Sequence, residues 1–543
     1  MSNGIKKNVV AVIPASGKPT NKIQIGTDTP DTMLPINGKP VIGYIFDDLL
    51  GRGITQMVVV LNSNDRHTEK YLKQKFSTKC NFNIIYNHEV FKGIGYSIYL
   101  GVSQVDENKS ILVYLGDTIY RGSLNFTNDF VVVSDKYEVS NKWCFIEKRG
   151  ESFIYYNKPK DYLGGGKVLV GLYFFKDGKK IINTCRELSI SKKKIELFNI
   201  LKKYDGSYRL IKNGKWYDCG NIENYYRAKI DFLKLRSFNS LKYNDLYGYI
   251  TKISKKKDKL IDEINWYKNI PQDLQIFSPR LINSEIGLDK VSYSLEYYGY
   301  QSLADYYVYN NFDKKIWYLI IDRIFLITNL FKKHYSKVSK KYYYQMYLEK
   351  TKQRLTELSK NIYWRNLLNR KNITINSQCL NGWPYYVDKI KDIVPIFCRK
   401  KEMGFLHGDL CLSNILFDPT NKIFKFIDPR GSFGSSSLFG DIKYDIAKLR
   451  HSFSSYYDFI VSDLFVLEEK GENFELKIFT EPLHGNVKKY FDISLKKYGY
   501  DLKEIKLIEA LLFLSMIPLH SDNKIRQKAM FLVGIKLLNS INI

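Results

Sequence analysis

Cysteine is scarce in this 543-residue chain: seven residues, at 80, 144, 185, 219, 379, 398 and 411, are odd in number and form no pair of C-x-x-C knuckles. A disulfide framework or a zinc ribbon is thereby excluded, and a reducing, cytoplasmic setting is predicted. Histidine is equally rare, with seven residues and no H-x-x-x-H pair, so a zinc enzyme has little support. A G-x-S-x-G elbow is also missing, which removes the usual serine hydrolase. Proline (14) and glycine (34) are thinly spread, against wholesale disorder. Long apolar runs are lacking too. The best, Ile316 to Phe331, carries Asp322 and Arg323 in its middle, and no signal-like stretch opens the chain, so the sequence predicts a soluble, unsecreted protein. Acidic residues are outnumbered, 56 against 84 Lys plus Arg, for a net charge of +28. That sign favours anionic partners: nucleotides, phosphate esters, nucleic acid, or an acidic membrane face met peripherally. An AT-rich coding bias toward lysine, isoleucine, asparagine and tyrosine would produce the same excess, so the charge names no partner.

What is present divides the chain. At roughly 150 residues per domain the length allows about three compact units. From residue 8 to about 135, β-branched runs (NVVAVIP, MVVVLN, FNIIYN, ILVYLGD, FVVVSD) alternate with helical patterns such as Lys39 to Leu50 and His67 to Phe76, the βαβ signature of a mostly parallel sheet. The loops at Pro14 to Gly17 and Gly116 to Thr118 each follow an apolar strand, so both are expected on one sheet edge, forming one site. A helix over Asn221 to Leu235 closes this half. A polar stretch, Arg236 to Asn244, precedes a small mixed lobe, and from Asp305 onward the helical period dominates, interrupted only by strand-like pieces at 414 to 428. The expected architecture is α/β: a Rossmann-like mixed-sheet domain over 1–238, then a two-lobed α+β domain over 239–543, with a small lobe about 239–304 and a helical lobe about 305–543.

The strongest chemical signal is His407-Gly408-Asp409, then Asn414, then Phe426-Ile427-Asp428. A hydroxyl attacking a γ-phosphate needs a carboxylate to accept its proton, and an amide and a second carboxylate to hold Mg²⁺ against the phosphate oxygens. HGDLCLSNILFD followed by FKFIDPRG resembles the choline kinase and aminoglycoside phosphotransferase family, whose fold is protein-kinase-like. The resemblance implies that Asp409 is the catalytic base, that Asn414 and Asp428 bind magnesium, that Lys252 in ITKIS steadies the ATP phosphates with Glu263 as its helix partner, and that Asp445 is mainly structural. Lys255, Lys256, Lys257 and Lys259 crowd Lys252, and a lysine run is usually a solvated face. Arg430 departs from the small residue expected beside the metal carboxylate, and either a phosphate contact or a loop cap suits it.

In the first half, Val12-Ile13-Pro14-Ala15-Ser16-Gly17 followed by LPINGKPVIGYI resembles the sugar-phosphate and phosphocholine nucleotidyltransferases. In that family the first loop cradles an incoming triphosphate, which assigns nucleotide binding to Ala15, Ser16 and Gly17. Leu115-Gly116-Asp117 matches the family's metal-binding aspartate and WYDCGN its W-x-D-x-G segment, implying that Asp117 and Asp218 share one Mg²⁺. Lys158 of YYNKP and Gly95 of the Gly93 to Ser97 segment are expected to contact substrate, as is His407 in the other half. Two family cations are missing, with Lys18-Pro19 and Pro30-Asp31 in their places. Lys18, Lys22 and Lys39 are candidate replacements.

Together the halves suggest a bifunctional cytoplasmic enzyme. ATP would phosphorylate a small alcohol, choline or another amino alcohol first and a sugar next. A second nucleotide (CTP, UTP or GTP) would then cap that phosphate for surface polysaccharide. Two other readings are a kinase with a nucleotide-binding but inactive first half, and a basic nucleic-acid-binding protein. The mixed Lys/Tyr stretch 332–347 reads better as a helical connection than as a nucleic-acid platform.

Overall fold

The computed structural model describes residues 8–19, 29–135, 140–162, 164–233, 240–255, 257–309, 312–337, 339–397 and 403–541. Two compact units result, Met1–Phe232 and Leu233–Ile543. The expected boundary at 238/239 and Lys22 lie outside the described residues.

In the first unit, strand β1 (Val9–Ala15) is buried along its whole length, which its unbroken apolar run dictates, since a central parallel strand is covered on both faces. It is followed by α1 (Val41–Gly51), β2 (Gln56–Asn62), α2 (Arg66–Phe76), β3 (Asn81–Asn87), α3 (Ile94–Val102), β4 (Ser110–Tyr114), β5 (Thr118–Arg121) and β6 (Phe130–Ser134). Then come β7 (Cys144–Arg149), β8 (Ser152–Asn157), β9 (Lys167–Phe175), α4 (Gly178–Ser191), α5 (Leu197–Tyr204), β10 (Arg209–Ile211), β11 (Lys215–Asp218) and α6 (Ile222–Leu233). The nine-stranded sheet runs β8-β7-β9-β4-β1-β2-β3, with β6 pairing β9 and β10. The β4-β1-β2-β3 block is parallel, and β9 enters antiparallel beside β4. Helix α3 lies close on the sheet because Gly101 has no side chain: a Cβ there would meet Val12 Cγ1 at 2.4 Å. Asp65 caps α2 by accepting the Thr68 amide, and Asp177 caps α4 in the same way.

The second unit opens with an antiparallel sheet of β12 (Ser240–Asn244), β13 (Tyr249–Ser254), β14 (Leu281–Ile286) and β15 (Val291–Glu296), in the order β12-β13-β15-β14. Helix α7 (Lys257–Asn269) packs on it, and Trp266 Nε1 on that helix donates to the Leu406 carbonyl at 2.9 Å. The helical part contains α8 (Lys314–Lys333), α9 (Lys350–Leu358), the hairpin β16 (Ile415–Asp418) and β17 (Ile423–Phe426), α10 (Ile442–Phe453), α11 (Pro482–Lys497), α12 (Leu502–Met516) and α13 (Lys524–Asn539). The expectation of strands only at 414–428 is corrected. Asn372–Ile375, Gln378–Asn381, Asn473–Ile478 and Phe465–Lys470 form a further four-stranded sheet, and Met403–Phe405 pairs with Phe439–Asp441. These strands are short, and two of their pairings, Thr374 with Asn473 and Met403 with Asp441, join segments distant in sequence that no local pattern connects.

On α10, Arg450 is 2% exposed and meets both oxygens of Asp492 at 2.9 Å, with Glu509 on its other side. Arg450→Met would strand two carboxylates, one of them fully buried. A loss of about 3–5 kcal/mol in unfolding free energy, read by denaturant titration, is expected.

Candidate active sites

In the first unit the two loops meet at the strand ends as their positions predict. The Gly116 amide donates to the Pro14 carbonyl at 3.1 Å, and a Cβ on Gly116 would lie 2.7 Å from the Ala15 Cβ. Ser16 is buried, its hydroxyl 2.7 Å from that of Ser97. Asn87 Nδ2 reaches both hydroxyls, at 3.2 and 3.0 Å. Gly17 is exposed, with open space where a side chain would be. This network ties the β1 loop to β3 and α3.

The acidic pair comes from the β5–β11 ladder. Asp218 stands opposite Thr118, and the Cys219 amide donates to the Asp117 carbonyl at 2.7 Å. A Cβ placed on Gly220 would lie 2.7 Å from Asp117 Oδ2 and 3.3 Å from Asp218 Oδ1, so both oxygens face one point. Asn224 Nδ2 and the Gly220 amide hold Asp218 at 3.2 and 3.0 Å. Burial, then the charge of Asp117, pushes the Asp218 carboxyl up to about 7, and Asp31 adds to it; burial raises Asp117 as well. Two converging carboxylates that resist joint ionisation suit a divalent cation. Among the described residues no third His, Cys, Asp or Glu completes a cluster; a Mg²⁺ ion held by this pair would take water and substrate phosphates as its other ligands. Beside Asp218 a cavity of about 700 Å³ is lined by Trp143, Trp216, Lys212, Lys215 and Arg227, and the two indoles meet edge to face at 5.1 Å.

Other expected positions fall differently. Lys158 is exposed with φ 50°, and its amide donates to the Trp143 carbonyl at 3.0 Å. Gly95 is a packing glycine: a Cβ there would meet Ile195 Cγ2 at 2.4 Å, so its close approach is to the protein and not to a ligand. Lys39 pairs with Asp47 and sits 4.5 Å over the Tyr44 ring. Lys18 is exposed beside the loop.

In the second unit, Lys252 is the buried one among the described lysines of its stretch. It is 8% exposed, with Nζ 2.6 Å from Glu263 Oε2 and 3.1 Å from Asp428 Oδ1. Tyr293 donates to the same Glu263 oxygen at 2.7 Å. Burial opposes the Lys252 charge, but Asp428 and Glu263 hold it ionised above the ordinary lysine range. Asn414 Nδ2 donates to the carbonyl and Oδ2 of Asp409 at 2.8 and 3.3 Å. The Ile427 amide donates to the Asn414 carbonyl at 3.0 Å, bringing Asp428 alongside. An amide oxygen and a carboxylate are oxygen donors of the kind Mg²⁺ accepts. Asp409 Oδ1 pairs with Lys448 at 2.9 Å. Burial alone would raise the Asp409 carboxyl, yet Lys448, with Arg430 and His407, holds it well below the usual range. Asp445 fixes the loop by accepting the His407 and Gly408 amides, both at 2.9 Å. The substrate role expected for His407 is corrected: it is fully buried, its Nε2 lies 3.1 Å from the Ile427 carbonyl, and burial lowers it to about 4, so a neutral ring braces the loop.

A family model for nucleotidyl transferases matches residues 10–234. Residues 10–234 form a nucleotidyltransferase-like domain. A provisionally named UTP–glucose-1-phosphate uridylyltransferase of Methanocaldococcus jannaschii is 28% identical over 41% of this chain and 92% of its own. Choline-phosphate cytidylyltransferase of Streptococcus pneumoniae is 22% identical over 40% of this chain and 96% of its own. Among solved structures, the CTP:phosphocholine cytidylyltransferase of Streptococcus pneumoniae is 20% identical, covering 42% of this chain and 100% of that one, with a TM-score of 0.35. Asn87 and Asn224 of the nucleotidyltransferase-like domain, and Lys448 and Tyr444 of the second unit, escaped motif reasoning, while Ser97 fell inside the segment singled out for Gly95. Each is an ordinary polar residue whose importance lies in which distant group it touches.

Proposed function

We propose that the chain carries out two consecutive transfers, phosphorylation of a small alcohol in its second half and nucleotidyl transfer onto that phosphate in its first. The convergence of Asp117 and Asp218 on one point is the observation that carries the nucleotidyl step. The Lys252–Glu263–Asp428 chain and the Asp409–Asn414 pair support a kinase-like, two-lobed second half. First, the acceptor oxygen bonds to the γ-phosphorus of ATP, the bond from that phosphorus to the β–γ bridging oxygen breaks, and ADP leaves. Asp409 takes the hydroxyl proton and passes it to solvent. Lys252 would grip the phosphates, while Lys448 and Asn414 keep the base ionised and aimed. Second, an oxygen of the new phosphate attacks the α-phosphorus of a second nucleotide, the α–β bridging bond breaks, and pyrophosphate leaves. The Ala15-Ser16-Gly17 loop would hold the triphosphate through backbone N–H groups. Asp117 and Asp218 in the first half, and Asn414 and Asp428 in the second, would hold Mg²⁺, which when bound neutralises phosphate charge at both centres.

The acceptor phosphates named by the relatives, glucose 1-phosphate and phosphocholine, define the starting panel, and a role in surface polysaccharide decoration follows by analogy with that chemistry. Pyrophosphate release is to be followed with each phosphate and CTP, UTP or GTP. Release with at least one pair is expected, and none with any pair contradicts the nucleotidyl step. Asp31 at a normally cationic position and the Lys39–Asp47 pairing favour one second reading, a kinase whose first half binds a nucleotide without turning it over.

A further inference from the structure

We infer that the alcohol phosphorylated by the second half is a small anion, a hydroxyl compound that also bears a carboxylate or a phosphate, and that Lys350, Arg354 and Arg430 receive its charge; this rests on the phosphotransfer reading of Asp409. A continuous set of contacts leads from the base to these cations. Asp409 pairs with Lys448 of α10 at 2.9 Å, and Tyr444 stands one turn earlier on that helix. The Tyr444 hydroxyl, 2% exposed as a residue, accepts from Lys350 Nζ at 3.1 Å and from Arg430 Nη1 at 3.2 Å. Arg354 follows Lys350 by one turn of α9 and donates to the Ser515 carbonyl at 2.7 Å. Lys448 has Asp409 as counter-ion. Among the described residues, Lys350, Arg354 and Arg430 have no carboxylate within ion-pair distance.

Lys350 and Arg354, half-buried beside this phenol, are costly to keep charged without an anion, whereas Tyr444, with Asp409 and Asp262 nearby, holds Arg430 ionised. The strain shows at both ends. Burial, with the like charges of Arg430 and Arg354, lowers Lys350 to about 8. Against burial, Lys350, Arg430 and Lys448 pull the Tyr444 phenol down to about 8 as well. A π-helical turn, Gln345–Glu349, immediately precedes Lys350, and such turns are frequent where a helix presents groups to a ligand. The nucleotide side has its own cation, Lys252, bound to Glu263 and Asp428. A cationic acceptor such as choline would meet repulsion here, so the expectation of an amino alcohol gives way to a hydroxy acid or a phosphate ester.

The test compares acceptors that differ in charge on one framework: glycerol, D-glycerate and glycerol 3-phosphate; glucose, glucuronate and glucose 6-phosphate; and choline and ethanolamine. ADP release from MgATP is expected to be about tenfold or more faster, as kcat/KM, with an anionic member than with its neutral counterpart. Lys350→Met should erase that advantage through KM, and Lys350→Arg should keep it. Preference for choline, ethanolamine or a neutral member overturns the inference, as does a Lys350→Met effect on KM for ATP in place of the acceptor. The hydroxy-acid and phosphate arms tell which anion is taken. Calorimetric titration of the MgADP-loaded protein with D-glycerate and glycerol 3-phosphate separates the two claims. Binding that weakens in Lys350→Met without ADP release from any acceptor would uphold the anion site and sink the phosphotransfer reading. Absence of binding by both anions overturns the anion site.

Discussion

Asp409→Asn is expected to lower ADP formation by on the order of 10²-fold or more while leaving pyrophosphate release from a supplied phosphorylated acceptor within about twofold. The amide keeps the volume of the carboxylate but cannot take the hydroxyl proton. It also deprives Lys448, 2.9 Å away, of its counter-ion, and it places a second NH₂ group beside Asn414 Nδ2, which now donates to Asp409 Oδ2 at 3.3 Å. The loop itself should survive, because Asp445 holds the His407 and Gly408 amides independently of Asp409. Some fall in the thermal midpoint is expected because buried Lys448 loses its counter-ion, so the loss is chemical where the cooperative unfolding transition still lies above the assay temperature. Loss of both activities in folded protein would contradict two separate centres.

Asp117→Asn is expected to do the reverse and more. Pyrophosphate release should fall by on the order of 10²-fold or more, since one of two carboxylates aimed at the cation is gone, while ADP formation persists. Removing the charge also relieves Asp218, which burial and Asp117 together push up to about 7. Metal-free protein carrying the substitution should therefore be more stable by about 1 kcal/mol, or about 2–4 °C in the midpoint of a domain this size. Added Mg²⁺ should raise the midpoint of the first unit's unfolding transition in the native protein but not in the variant, while its effect on the second unit's transition is the same in both. A variant that loses stability without metal, or that retains full pyrophosphate release, would remove Asp117 from the centre.

How far the residues foretold these centres depends on whether the deciding contacts are local. Strands β1, β2 and β4 are readable because a central parallel strand, buried on both faces, spells an unbroken apolar run. The arrangement of His407 to Asp428 is readable because this loop and the hairpin behind it are neighbours in sequence, so spacing maps directly onto geometry. Asp117 and Asp218 could be matched to motifs one at a time, but their meeting depends on the β5–β11 ladder between distant segments. Gly95 and His407 misled because a small or polar residue beside a motif has no visible burial. Only the fold reveals that Ile195 fills the space at one and that the Ile427 carbonyl engages the other. Lys350 and Lys448 were hidden by abundance: in a chain with 84 Lys plus Arg, only burial singles out the few whose charge is committed.

The claim that the two halves act in sequence is tested most directly by following one phosphorus atom. The intact protein is incubated with γ-³²P-labelled ATP, an unlabelled second nucleotide and an unphosphorylated acceptor, and the products are separated. Label is expected in the nucleotide-linked product, at the phosphate between acceptor and nucleoside monophosphate, with ADP and unlabelled pyrophosphate formed alongside. Label confined to ATP and a phosphorylated acceptor, for every second nucleotide supplied, would contradict the coupling of the two reactions.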